Sequence, residues 1–321
     1  MEKPRLLYYD ILQYHSEVLD FMESHFEVHR LADPNHDRDE ILTQMDICMA
    51  PLGYLFDRKK IQRCRNLKVI ASSTLSVPHI DIEYAESKRI KVCWLSESEK
   101  EFLDTITPTA ELCWGLIIAL TRKIPWAHRA SCRGEWKGRE FGRETPRMLS
   151  RMNLGIIGLG RLGSLVASYG TAFGMKVYYY SPNTEDSSYQ KCNSLLDLAK
   201  KSDIVSIHAH HTAETEKLLG MDFFKNMKPG SYLVNTARGA IVDEEALLVA
   251  LESGHLGGAA LDVLAVEYEL DFKARLAESP LVAYAKNHNN VLITPHYGGA
   301  TIDAWVRTQK RTLELIIGSL P

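Results

Sequence analysis

Residues 154–163 read Leu154-Gly155-Ile156-Ile157-Gly158-Leu159-Gly160-Arg161-Leu162-Gly163, a G-x-G-x-x-G spacing at the end of an apolar run. Leu162, Leu165, Val166, Tyr169 and Phe173 then recur at helical spacing, and Gly174 stands where a helix stop belongs. In a strand–turn–helix that holds a pyrophosphate, Gly158 permits the tight turn, Gly160 lets backbone approach the phosphates, and Gly163 brings helix against strand. Arg161 and Leu162 open the helix, whose N-terminus carries partial positive charge. Three glycines alone are a weak signal, because a flexible loop has the same composition. A strand before them, a capped helix after them and a second strand at the right distance favour nucleotide binding.

Short β-rich runs alternate with helical stretches over almost the whole chain, which predicts α/β architecture with parallel sheets. From the glycine loop onward, strands are expected at 153–157, 176–180, 204–208, 231–235, 259–263 and 291–294. Six strands with helical crossovers match a Rossmann-type domain of two mononucleotide-binding halves. Upstream, runs at 6–10, 26–31, 46–51, 68–72 and 90–95, separated by amphipathic stretches such as 16–24, predict a smaller doubly wound domain. Residues 108–122 are apolar on several faces and, at ~15 residues, too short to span a bilayer; they read as a buried linking helix. The basic, Gly-rich stretch 123–151, with Trp126 and Trp136, reads as an arm rather than core. An amphipathic helix is expected at 301–317.

The composition fits this layout. At ~150 residues per domain, 321 residues make two domains, enough to bury cores without disulfide or metal staples. Lys plus Arg number 38 against 41 Asp plus Glu, a net charge of −3, so the basic excess of a nucleic-acid binder is missing. The first apolar stretch is broken by Asp10 and is too short for a signal segment or membrane span. Six scattered cysteines without a CxxC pair predict reduced thiols and a cytoplasmic location, with no membrane partner.

Five positions beyond the glycines carry the chemistry. The second strand ends in Tyr180-Ser181-Pro182-Asn183, where an NAD site usually has an acid for the adenosine ribose. Ser181 and Asn183 would not repel a 2′-phosphate and can donate hydrogen bonds to it, which places NADP(H) ahead of NAD(H). Arg238, Glu267 and His296 each follow a predicted strand; if the strands are parallel, all three lie at the carboxyl edge, where open α/β sheets bind ligands. Arg suits a carboxylate by bidentate pairing, and His suits proton transfer near neutrality. A neighbouring Glu would orient the ring and raise its pKa. The alternative, a surface ion pair with a capping histidine, does not explain three partners past three strands.

These motifs, with the stretches 155–163, 235–243, 259–267 and 294–301, resemble the D-2-hydroxyacid dehydrogenase family over nearly the whole chain. The resemblance implies a Rossmann dinucleotide-binding domain (105–295, with linking helix and arm). It also implies a flavodoxin-like substrate domain split between 1–104 and 296–321, and a homodimer formed through the linking helix and arm. It implies catalytic roles for Arg238, Glu267 and His296. Asp262 would lie near the nicotinamide carboxamide, Thr236 and Ala237 would line the nicotinamide beside Arg238, and Gly298 would lie near the cofactor. The loop Thr74-Leu75-Ser76 resembles the one whose amides hold the substrate carboxylate, with Ser76 where the family commonly has Gly.

Two further departures matter. His208, His210 and His211 lack a carboxylate or thiol to complete a metal set, and are expected to form a polar wall on the nicotinamide side, with no metal. The stretch 96–105 is acidic and longer than its usual counterpart; a solvated face is expected, and a contact with a cationic substrate tail is the sharper alternative. The leading expectation is an oxidoreductase that reduces a small 2-oxo acid to a D-2-hydroxy acid. The first alternative is reduction of a 2-imino acid to a D-amino acid. A non-catalytic nucleotide sensor is the alternative of another class, and it has no need of an acid–base pair.

Overall fold

The computed structural model describes residues 2–136, 146–267 and 271–320, which divide into two compact units. Met1–Ile106 with Ala300–Pro321 form the first, and Thr107–Gly299 the second. The expected boundary at 296 is corrected to 300. The backbone amides of Tyr297 and Gly298 donate to the Asp262 carboxylate, and these bonds keep residues up to 299 with the second unit.

The first unit is a five-stranded parallel sheet of β1 (Arg5–Tyr9), β2 (Glu27–Leu31), β3 (Ile47–Met49), β4 (Val69–Ser72) and β5 (Lys91–Trp94). Its order β2-β1-β3-β4-β5 is that of flavodoxin-like doubly wound sheets. Strands β3 and β4 are buried throughout, as expected where helices cover both faces. One face carries Leu7, Tyr9, Cys48 and Ile70, and the other Leu6, Tyr8, Ile47 and Val69. The C-terminal helix Ile302–Ser319 covers the second face through Leu313 and Ile316.

The second unit holds β6 (Asn153–Ile157), β7 (Lys176–Tyr180), β8 (Gln190–Lys191), β9 (Ile204–Ile207), β10 (Ser231–Asn235), β11 (Leu256–Leu261) and β12 (Val291–Ile293). All pair in parallel, in the order β12-β11-β10-β9-β6-β7-β8. The order reverses between β6 and β9, which is the switch point where such sheets bind nucleotides. The expectation of six strands is corrected to seven. Strand β8 has two residues, both exposed, and so gives no hydrophobic pattern. The helix Arg161–Ala172 ends in a Schellman motif, with Gly174 N–H on Thr171 O and Met175 N–H on Gly170 O.

The linking helix Pro108–Thr121 buries Ala110, Cys113, Trp114, Ile117 and Leu120 against β10, β11 and the glycine-loop helix. The expectation that 123–151 is an arm outside the core is corrected in part. The helix Ile124–Cys132 places Trp126 in the same core cluster, while Trp136 is 88% exposed. Residues 137–145 of that stretch lie outside the described residues.

The first unit also buries an ion pair. Lys60 Nζ lies 2.7 Å from Asp37 Oδ2, with the two side chains only 8% and 6% exposed. The ammonium also donates to Tyr9 Oη and stands over the Tyr9 and Phe56 rings, and Tyr9 O–H donates to Asp37 Oδ1. Removing one partner strands the other charge in the interior. Lys60→Ala should therefore cost roughly 3–5 kcal/mol in urea unfolding. A loss below about 1 kcal/mol, the worth of an exposed pair, would show that the site does not exclude water.

Candidate active site

The glycine loop lies at the switch point. Gly158 has φ +88° and donates its N–H to Tyr180 O, while His208 N–H donates to Ile157 O from the other side. A Cβ at Gly158 would stand 2.8 Å from Ala209 N, so only glycine lets the β6 and β9 loops close on each other. At Gly163 a Cβ would stand 2.1 Å from Gly158 O, so the missing side chain sets the helix-to-turn distance. Gly160 is the helix N-cap and meets nothing within 4 Å. This is a fit for a pyrophosphate: an open cradle, a tight turn, and a twelve-residue helix presenting Arg161, Leu162 and Gly163 N–H groups.

Ser181 follows β7 but is buried, and its hydroxyl donates to Thr184 Oγ1 at 3.1 Å. Asn183 is exposed at the same turn. The expected histidine wall is corrected. His208 faces inward, 2.9 Å from Ser206 Oγ, and burial lowers its pKa to about 4, so the ring is neutral at neutral pH. His211 pairs with Glu216, and His210 is exposed. No group of three potential metal ligands occurs among the described residues.

Past β10, Asn235 shapes the next turn. Its Oδ1 accepts from Ala237 N–H and its Nδ2 donates to Arg238 O. Thr236 is buried, with an Oγ1 that has no protein partner, and Arg238 is exposed with Nη1 on Ala237 O. Past β11, Asp262 is buried. Its Oδ1 accepts from Thr294 O–H and Tyr297 N–H, and its Oδ2 accepts from Gly298 N–H. Those three donors flank His296, which sits past β12 with φ +48°. Glu267 is 9% exposed and places Oε2 3.0 Å from His296 Nδ1. That hydrogen bond raises the His296 pKa; burial and the Arg238 charge oppose it, and the charges of Glu267 and Asp262 add to it. Arg238, Glu267 and His296 thus follow three adjacent strands of one parallel sheet.

The sequence did not single out Asn235. The signal was there, because Asn at a strand end hydrogen-bonds the backbone two residues on.

In the first unit, Thr74, Leu75 and Ser76 follow β4, with Leu75 and Ser76 exposed. Thr74 O–H donates to Ser76 O, and Ser76 lies outside the left-handed region, so serine there costs no backbone strain. The acidic stretch 96–105 is only partly solvated. Glu99 is taken up by Arg311 at 2.6 Å and Lys100 pairs with Asp104, while Glu97 and Glu101 are exposed.

Residues 114–298 match the model of the D-isomer specific 2-hydroxyacid dehydrogenase NAD binding domain. The chain belongs to this family. A glyoxylate reductase of Thermococcus litoralis is 32% identical over 88% of this chain and 84% of its own. Among solved structures, the D-lactate dehydrogenase of Aquifex aeolicus, complexed with NAD and lactic acid, is 26% identical with a TM-score of 0.76. That likeness covers 98% of this chain and 94% of the other. An acyclic imino acid reductase solved with NADPH and D-Arg shares the fold at 24% identity, with a TM-score of 0.76 over 98% and 96% of the two chains. The chain is therefore an oxidoreductase of the NAD-dependent 2-hydroxyacid dehydrogenase family, with a nicotinamide cofactor and small 2-oxo or 2-hydroxy acids as its substrate class.

The sign of the His296 shift makes a prediction. A raised pKa keeps the imidazolium present to higher pH, so a step that consumes its proton slows only as pH rises through that raised value. Glu267→Gln removes the anion, and the alkaline limb of kcat/KM for oxo acid reduction should move to lower pH. An unmoved limb would separate the limb from this pair.

Proposed function

We propose that the chain reduces the C2 carbonyl of a small 2-oxo acid to the D-2-hydroxy acid, with NADP(H) ahead of NAD(H). The observation that carries this is the Glu267–His296 pair beside the Arg238 turn, at the carboxyl edge of the nucleotide-binding sheet. When bound, the cofactor supplies the hydride. Arg238 presents a planar fork of N–H donors to the substrate carboxylate. His296 Nδ1 is held by Glu267, so the proton passed to the developing alkoxide leaves from Nε2, and the neutral ring keeps its Nδ1 proton on Glu267. Thr236 and Ala237 line the nicotinamide side, and Thr74, Leu75 and Ser76 are proposed as substrate-binding residues from the family resemblance alone. The intact acid–base pair speaks against a nucleotide sensor.

The NADP(H) preference is supported by the absence of a carboxylate at the end of β7, where Ser181 and Thr184 form a neutral hydroxyl pair. A reducing, cytoplasmic setting is supported by six free cysteines, and among the described residues no single helix is long and apolar enough to cross a membrane. A homodimer is proposed from the family resemblance.

Two measurements test the proposal. Ser181→Asp should restore the ribose acceptor, repel the 2′-phosphate and reverse the cofactor preference; wild-type protein that binds NADH far more tightly than NADPH would remove the assignment. His296→Ala should lower kcat/KM for 2-oxo acids by about 10²–10⁴-fold, the worth of a positioned acid. A 2-imino acid already carries its proton as the iminium, so its reduction should fall less. Undiminished oxo acid reduction would overturn the role of His296. Wild-type turnover of imino acids alone would replace the substrate.

A further inference from the structure

Glu267 reaches His296 from a short turn that leaves β11, and nothing within residues 263–266 has a charged side chain to anchor that turn. Two contacts from one neighbouring segment hold it instead. Gly239, directly after Arg238, lies so close that a Cβ would stand 2.0 Å from Leu264 C and 2.3 Å from Ala265 N. Five residues on, Glu244 opens the helix Glu244–Glu252 and accepts the Ala265 N–H on Oε1 at 2.7 Å. The turn carrying Glu267 is thus gripped by backbone packing on one side and by a carboxylate on the other, and both grips come from the segment that begins with Arg238.

We infer that Glu244 is a positioning residue for the reaction: its hydrogen bond to Ala265 N–H sets Glu267 against His296 and fixes both relative to Arg238. The inference rests on the proposed roles of those three residues. A hydrogen bond from a backbone amide to a carboxylate is charge-assisted and short, and it directs the peptide that carries it. Only Val266 separates Ala265 from Glu267 along the chain, so a small rotation of the Ala265 peptide is passed to the Glu267 Cα. Displacement there lengthens the 3.0 Å contact with His296, which is the first cause of that ring's raised pKa.

Glu244 is itself half-buried. Burial raises its pKa, the Ala265 amide opposes this, and the like charge of Glu267 adds to it. On its solvent side Lys217, Glu245, Asp271, Arg275 and Glu278 line the same hollow, and Asp271 is occupied by Arg275. Among the described residues, the charged groups that act on His296 include Glu267, Arg238 and Asp262. Protonating Glu244 would replace a charge-assisted bond with a neutral one, so the grip weakens as pH falls through its raised pKa.

Three variants separate this role from a general contribution to folding. Glu244→Ala removes the acceptor. Glu244→Asp keeps the charge and the helix start but withdraws the oxygen by one methylene. Glu244→Gln keeps a neutral acceptor in place. The readout is the titration of the His296 ring by NMR in labelled protein, with the pH profile of kcat/KM and the thermal midpoint alongside. In Glu244→Ala and Glu244→Asp, His296 should titrate at lower pH than in wild type. The alkaline limb should follow it, and kcat should fall by about 10-fold or more with little change in KM. Glu244→Gln, whose neutral oxygen accepts more weakly than the carboxylate, should fall between wild type and the Asp variant in both properties. A His296 titration in Glu244→Asp equal to wild type overturns the inference, as does a Gln variant as impaired as the Asp variant. The NMR titration needs no turnover, so a protein that reduces no 2-oxo acid, yet whose His296 responds to Glu244, would fail the functional proposal and leave this inference standing.

Discussion

The buried carboxylate of Asp262 is the interaction on which the carboxyl edge of the second sheet depends. It accepts three hydrogen bonds from the segment that follows the last strand, one from a hydroxyl and two from backbone amides. Hydrogen bonds to a charged group contribute about 1.5–3 kcal/mol each. Holding a histidine at positive φ costs of order 1–3 kcal/mol, so three such bonds outweigh the strain at His296. Without them the segment has no reason to adopt a left-handed turn, and His296 would not face Glu267.

The sheet supplies the rest of the alignment. Parallel strands place every carboxyl end on one edge, and β10, β11 and β12 are neighbours. Arg238, Glu267 and His296 lie 29 residues apart in sequence, and adjacent strands bring their turns together. Side chains finish the placement: Asn235 shapes the Arg238 turn, Glu244 holds the Glu267 turn, and Asp262 holds the His296 turn. In each case a short polar or acidic side chain satisfies backbone donors that a loop would otherwise leave to water.

Much of the site was legible in the sequence, because it is encoded by local rules. The glycine loop depends on the absence of side chains at Gly158 and Gly163, which composition alone reveals. The Arg, Glu and His were legible because each follows an apolar run that forms a strand of the sheet. The histidine trio misled because three rings close in sequence have three surroundings: the Ser206 hydroxyl, solvent and a glutamate. The acidic stretch misled in part for the same reason, since the partner of Glu99 is Arg311, 212 residues away.

By itself the sequence determined the two parallel-sheet domains, the switch-point loop and the three candidate side chains that follow neighbouring strands. These follow from hydrophobic periodicity, glycine spacing and turn chemistry, all of which act within about ten residues of chain. Tertiary structure alone decided which polar groups meet. It decided that Lys60 is buried with Asp37, that Trp126 belongs to the core, that Glu244 reaches Ala265, and that Glu267 raises the pKa of His296. Each of these contacts spans 21 residues or more, or depends on which face of an element is covered, and neither is set by local propensity. A hydrogen bond is directional and fails within an ångström, so its partners are fixed only when packing has placed both backbones.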